Sequence, residues 1–242
     1  MASGAQIDKL GERLKTGPIV EVDLRLLDEY RLGFADAYVA IARLVTQQGV
    51  QPSGREAKSR SAIVEKLRRE SIRLSQIQDI AGCRVVVSGR KEQDSVVQVI
   101  SDALDNAGAI DRRLAPSHGY RAVHVIARHL HLPVEVQIRT AWQHHWAETS
   151  EKLSDEIDPG IKYGLGPAEL QALMMQWSDA IERWENWLAS RVAAGRVTLV
   201  EQTLAERDHQ EVLAARHRVM EFLARLRAAR LEKGESARDL PD

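Results

Sequence analysis

The sequence predicts a mixed α/β core of the α+β kind, flanked by helices and extended by a helical tail. Three observations carry that expectation. Between Gly82 and Arg139 the runs Arg84 to Val87, Arg121 to Ala127 and Val134 to Ile138 are short and rich in β-branched residues, the composition of half-buried strands. Before them, apolar residues recur at three- and four-residue spacings, the period of an amphipathic helix. From Pro167 onward the pattern is helical throughout, with Leu170, Leu173, Met174, Trp177, Ile181, Trp184 and Leu188 on one stripe.

Taken in order, residues 1–22 read as a flexible N-terminus with little periodicity. Asp23 to Thr46 reads as one amphipathic helix through Leu26, Leu27, Tyr30, Phe34, Tyr38, Ile41 and Val45. Gly49, Pro52 and Gly54 end it in a loop, and Ser59 to Glu70 returns to helix with Ile63, Val64 and Leu67 inward. Gln93 to Ala107 is expected to be a helix after the first strand. Thr140 to Leu153 is another, stopped by Asp158-Pro159-Gly160. Residues 23–165 then form the core domain and 166–233 a helical extension with a second, shorter stripe from Val212 to Leu231. Residues 234–242 are read as a disordered tail.

Composition narrows the function. The 242 residues are 44% apolar and 29% charged with a net charge of −1, which suits a chain that buries a core rather than one that coats nucleic acid over its whole surface. No run approaches the roughly 20 apolar residues a bilayer span needs, and the first residues show no secretory pattern, so the expected location is cytoplasmic with no membrane partner. The single cysteine, Cys83, excludes an intramolecular disulfide and a multi-cysteine zinc site.

Local charge is more informative. Arg55 to Arg73 holds seven basic residues (Arg55, Lys58, Arg60, Lys66, Arg68, Arg69, Arg73) against Glu56, Glu65 and Glu70. On a helix Lys66, Arg69 and Arg73 share a face, which serves as a solvated surface or as a grip for polyphosphate. Asp79 stands just before a strand, either capping a turn or projecting at the strand entrance. In Val134 to Arg139 the alternation puts Glu135, Gln137 and Arg139 on one side, an exposed sheet face or the lining of a cleft. Strand spacing likewise puts Tyr120 and His124 on one surface.

Asp79-Ile80-Ala81-Gly82-Cys83-Arg84, Gly119-Tyr120-Arg121-Ala122-Val123-His124 and Glu135-Val136-Gln137-Ile138-Arg139-Thr140, in that order, resemble the synthetase domain of the RelA/SpoT family. The likeness runs back to Lys58 and Ile63 to Arg69 and forward through Gln143 to Glu148 and Lys162-Tyr163-Gly164, covering about residues 55–165. It implies a mostly antiparallel sheet of the nucleotidyltransferase-like kind and the size class of small alarmone synthetases. It also implies transfer of the β,γ-pyrophosphate of ATP to the ribose 3′-hydroxyl of GDP or GTP. No His-Asp dipeptide occurs in the chain, so the metal-dependent hydrolase activity of the long family members is not expected.

By the same resemblance Asp79 and Glu135 are the catalytic and Mg²⁺-holding acids, Glu135 being second ligand or base. Lys58, Lys66, Arg69 and Arg84 match ATP-phosphate contacts. Tyr120 matches a tyrosine stacking on the acceptor guanine, with His124, Gln137 and His144 at other acceptor positions. The chain departs from the family pattern in having Glu56 before Lys58, Ala62 before Ile63, and Arg112 and Arg113 in place of a lysine. Two other functions fit the same residues: a toxin that pyrophosphorylates the 3′ end of tRNA, and a silent nucleotide-binding module. The helical extension is expected to make homo-oligomers, as in the family, or to pack on the core.

Overall fold

The computed structural model describes residues 3–104, 108–194 and 199–232. Its elements run α1 (Gly4–Thr16), α2 (Glu21–Leu32), α3 (Ala35–Gln47), β1 (Ser53–Arg55), α4 (Arg60–Arg69), β2 (Ala81–Val87), α5 (Arg90–Ala103), β3 (Gly108–Asp111), β4 (Val123–His129), β5 (Leu132–Thr140), α6 (Ala141–Glu156), α7 (Ala168–Ala194) and α8 (Leu199–Glu232). The five strands form one mostly antiparallel sheet in the order β1-β2-β5-β4-β3. β1 pairs with β2, and β4 with β5, in antiparallel register.

Among the described residues the chain divides into two compact units that alternate along the sequence. The first is Met1–Val86, Asp94–Ile110 and Val123–Ile138; the second is Val87–Gln93, Asp111–Ala122 and Arg139–Asp242. The boundary expected at residue 165 therefore falls inside the second unit.

In the first unit Val123, Val125, Val134, Val136 and Ile138 are buried on β4 and β5, and Ile63 and Leu67 of α4 are buried with them. The lead-in expected to be flexible instead carries α1. Ser3 and Gln6 cap it reciprocally, and Ile7, Leu10 and Leu14 bury its inner face. The single helix expected over 23–46 is broken at Gly33 and Phe34, where the Gly33 N–H donates to the Glu29 carbonyl and the Phe34 N–H to that of Arg31. Phe34, fully buried, meets the Tyr30 ring edge-on at 5.3 Å. α4 ends at Arg69, so Arg73 leaves the basic face proposed for it and faces Asp8 at 3.6 Å. α5 starts three residues earlier than expected, and its expected end lies outside the described residues. The tail read as disordered lies outside them too.

In the second unit the apolar stripe of α7 is internal. Leu170, Met174, Trp177 and Ile181 share a core with Trp146 and Leu153 of α6 and with Val212, Ala215 and Val219 of α8. Of the two roles open to the stripe, packing within the chain is the one seen. No helix among the described residues is long and apolar enough to cross a membrane.

Candidate active site

In the first unit Asp79 sits between the N-terminal end of β2 and the basic helix α4. Ser59 caps α4, its hydroxyl accepting the Ala62 N–H at 3.2 Å, and Ile63, Val64 and Leu67 fix the inner face. That orientation brings Lys66 to Asp79, Nζ donating to Oδ1 at 3.0 Å. Lys58 reaches the other oxygen, Nζ to Oδ2 at 2.6 Å. Burial opposes ionisation of Asp79, but the two ammonium groups outweigh it and hold the carboxyl at about 2.

The backbone of Lys58 is pinned on both sides. Its N–H donates to the Ile80 carbonyl at 2.6 Å, and its carbonyl accepts from Arg31 Nε at 2.6 Å. Arg31 is in turn paired with Asp28 at 2.6 Å, and Asp28 also binds Arg60.

Glu135 and its neighbours form a second cluster on β4 and β5. His124 lies opposite Gln137 and Ile126 opposite Glu135 in the register, so the three polar side chains share one face. His124 Nδ1 lies 2.7 Å from Glu135 Oε1, and Gln137 Nε2 donates to Oε2 at 2.6 Å. Burial pushes the Glu135 carboxyl up. The bonds from His124 and Gln137 outweigh both that and the repulsion from Asp79, leaving it below the usual range. Thus Glu135 feels the charge of Asp79, and both acids stay ionised at neutral pH. Glycine at position 82 permits this closeness: a Cβ there would stand 2.9 Å from the Glu135 backbone oxygen. Arg84, two residues along β2, has a buried Nε with no hydrogen-bond partner. Arg69, on the last turn of α4, bonds Glu70 at 2.9 Å.

Tyr120 and His144 belong to the second unit. Tyr120 is not in β4; it closes a turn with Ser117, its N–H donating to the Ser117 carbonyl at 2.9 Å. Consequently strand alternation does not place it beside His124. His118 (φ 51°) and Gly119 (φ 88°) both adopt positive φ in this turn, and a Cβ at Gly119 would come within 2.7 Å of the Trp146 ring. The Tyr120 hydroxyl accepts from Arg139 NH2 at 3.0 Å. Arg139, one of the three expected on the polar side of β5, is buried. His144 faces Glu148 one helical turn away at 3.4 Å.

Sequence reasoning missed a buried polar network on α7 that holds this turn. Ser178 Oγ donates to the Gly119 carbonyl at 2.6 Å and accepts from Arg121 Nε at 2.9 Å. Arg121 also binds Asp179 at 2.9 Å and Glu182 at 3.1 Å. Arg90 pairs with Glu182 and Glu185, and Glu185 takes further bonds from Thr140 and Gln143. The available signal was a spacing of three and four residues among Ser178, Glu182 and Glu185 on a helix otherwise read for its apolar stripe.

Residues 54–154 match the model described as the region found in RelA / SpoT proteins. The uncharacterized protein Rv1366 of Mycobacterium tuberculosis is 34% identical over 197 residues, covering 74% of this chain and 71% of that one. The GTP pyrophosphokinase YjbM of Bacillus subtilis is 28% identical over 137 residues, 51% of this chain and 63% of that one. Among solved structures, small alarmone synthetase 1 from Bacillus subtilis superposes with a TM-score of 0.54 at 23% identity, over 70% of this chain and 95% of that chain. Its complex with the product pppGpp gives 0.53 at 23%, over 71% and 97%. Matching motifs, the shared fold and a relative matched over most of its length lead to one conclusion: the chain belongs to the RelA/SpoT family.

Proposed function

We propose that this protein is a GTP pyrophosphokinase, transferring the β,γ-pyrophosphate of ATP to the ribose 3′-hydroxyl of GDP or GTP to give (p)ppGpp and AMP. The observation that carries the reading is the pair of ionised carboxylates, Asp79 and Glu135, the second feeling the charge of the first, with Lys58 and Lys66 on Asp79. Phosphoryl-type transfer demands little covalent chemistry from the protein; it demands charge neutralisation and alignment. Lys58 and Lys66 turn from Asp79 to the triphosphate, joined by Arg69 and by Arg84 with its unsatisfied Nε. Glu135, oriented from both sides by His124 and Gln137, draws the proton from the 3′-hydroxyl. Tyr120 stacks on the guanine, and His124, Gln137 and His144 complete the acceptor contacts.

The acids suit a hard cation. Among the described residues no third His, Cys, Asp or Glu joins such a group, and Mg²⁺ characteristically takes one or two carboxylates and fills its remaining positions with phosphate and water. Asp79 and Glu135 are the residues that would hold it, and it would supply charge stabilisation on the phosphates.

The names of two relatives support the reading, GTP pyrophosphokinase and small alarmone synthetase. Another solved structure is that same synthetase bound to AMPCPP. Oligomers form through exposed residues of the C-terminal helices, such as Leu188 and Met220, in a cytoplasmic protein; sedimentation tests the association.

The deciding experiment incubates the protein with Mg²⁺ and ATP labelled at the β- and γ-phosphates, with GDP, GTP or deacylated tRNA in parallel and Asp79→Ala as control. Label on GDP or GTP is expected. Label on tRNA alone, or on no acceptor, refutes the proposal.

A further inference from the structure

Away from both acids, the first unit contains a cavity of about 620 Å³, within the size range of small-molecule sites. Four segments wall it: the consecutive helices α1 and α2, the turn at Ser75 and the tip of the β4–β5 hairpin. Its floor is apolar, including Ile7, Leu10 and Pro133, and Leu26 stands at its mouth, 40% exposed.

The charges around it are unbalanced. Arg13 is spent on Asp23 at 2.7 Å. Lys9 and Arg128 have no acidic partner among the described residues, and Arg128 makes only a long bond of 3.4 Å to the His131 carbonyl. Glu29 is the one acid in the lining. The hairpin tip is built for its side chains rather than for its turn. Leu130 (φ 50°) and His131 (φ 68°) occupy consecutive left-handed positions that Asn-Gly fills with least strain. The turn thereby sets His131 in the cavity lining with the exposed Leu130 beside it.

We propose that this cavity binds a small amphipathic anion: an apolar body on the Ile7, Leu10 and Pro133 floor beneath Leu26, with one phosphate or carboxylate between Lys9 and Arg128. The apolar wall selects against inorganic phosphate, and the cation excess selects against a neutral alcohol.

The test titrates the full chain, without nucleotide, with monomeric octyl phosphate, inorganic phosphate and 1-octanol, read by calorimetry. Octyl phosphate is expected to bind at least tenfold more tightly than either of the others. Lys9→Glu and Arg128→Glu, both exposed positions, should each weaken octyl phosphate at least fivefold and leave octanol unchanged. Leu26→Trp, which narrows the mouth, should weaken both. Equal binding of inorganic phosphate, indifference to Leu26→Trp, or a response to phosphatidylglycerol vesicles alone would each overturn the proposal. Since binding is read without turnover, the result is independent of the pyrophosphokinase reading.

Discussion

Replacing Asp79 by asparagine removes the one negative charge shared by Lys58 and Lys66, and its cost follows from the site itself. The carboxyl titrates at about 2 instead of the ordinary 3.8, and its side chain is only 23% exposed. At about 1.36 kcal/mol for each tenfold change in proton affinity, the ionised form contributes about 2 kcal/mol at pH 7. A depressed acid gives its full stability above its unfolded value and loses it as pH falls through the folded value. By pH 3 roughly half, about 1 kcal/mol, should remain. Urea unfolding of wild type and Asp79→Asn at pH 7 and pH 3 measures both figures. Circular dichroism is the right probe, because all five tryptophans lie in the second unit. A gap of about 2 kcal/mol at pH 7 shrinking to about 1 at pH 3 is expected. No gap at pH 7, or an equal gap at both, would refute the reasoning.

Glu135→Gln keeps a side chain for His124 to bond but loses the base; synthesis should fall by about 10²- to 10⁴-fold while the circular dichroism spectrum stays that of the folded chain, and near-normal turnover would remove Glu135 from the chemistry. Arg31→Ala frees the Lys58 carbonyl, so KM for ATP should rise roughly three- to tenfold while KM for the acceptor holds. An equal rise in both would count against positioning. Ser178→Ala strands the Gly119 carbonyl and Arg121 Nε and should cost about 1–3 kcal/mol by fluorescence-monitored unfolding; wild-type stability would show that the network is held without it. Gly119→Ala puts a methyl at 2.7 Å from Trp146 in a positive-φ residue. It should cost at least about 1–2 kcal/mol, and a neutral result would mean that the turn relaxes.

The sheet's inner strands were legible because burial writes itself as β-branched runs: Val85, Val87, Val134, Val136 and Ile138 are all buried. β1 and β3 were not, since all their residues are exposed and pairing through backbone alone leaves no side-chain pattern. α1 carried both signals of a helix, a Ser3–Gln6 capping box and Ile7, Leu10 and Leu14 at helical spacing, hidden by its polar majority. The break at Gly33 was obscured because apolar spacing continues across it.

At the site, the resemblance of the motifs to the family singled out Asp79 and Glu135 as the acids to examine. The ion pairs that keep Asp79 charged join residues 13 and 21 apart, Lys66 and Lys58, and only folding reveals them. The pairing of Arg90 with Glu182 spans 92 residues, beyond any local pattern.

That last separation matters while the chain is being made. Arg121 leaves the ribosome about 60 residues ahead of Glu182, which at ~5–20 residues per second is roughly 3–12 s. During that interval two guanidinium groups destined for burial, Arg90 and Arg121, have none of their α7 carboxylate partners. The nascent second unit therefore lacks these ion pairs until α7 emerges, and a transcript truncated before Asp179 yields a product whose buried cations have lost all of those partners. Synthesis of α7 is thus the committing event in the biogenesis of this protein.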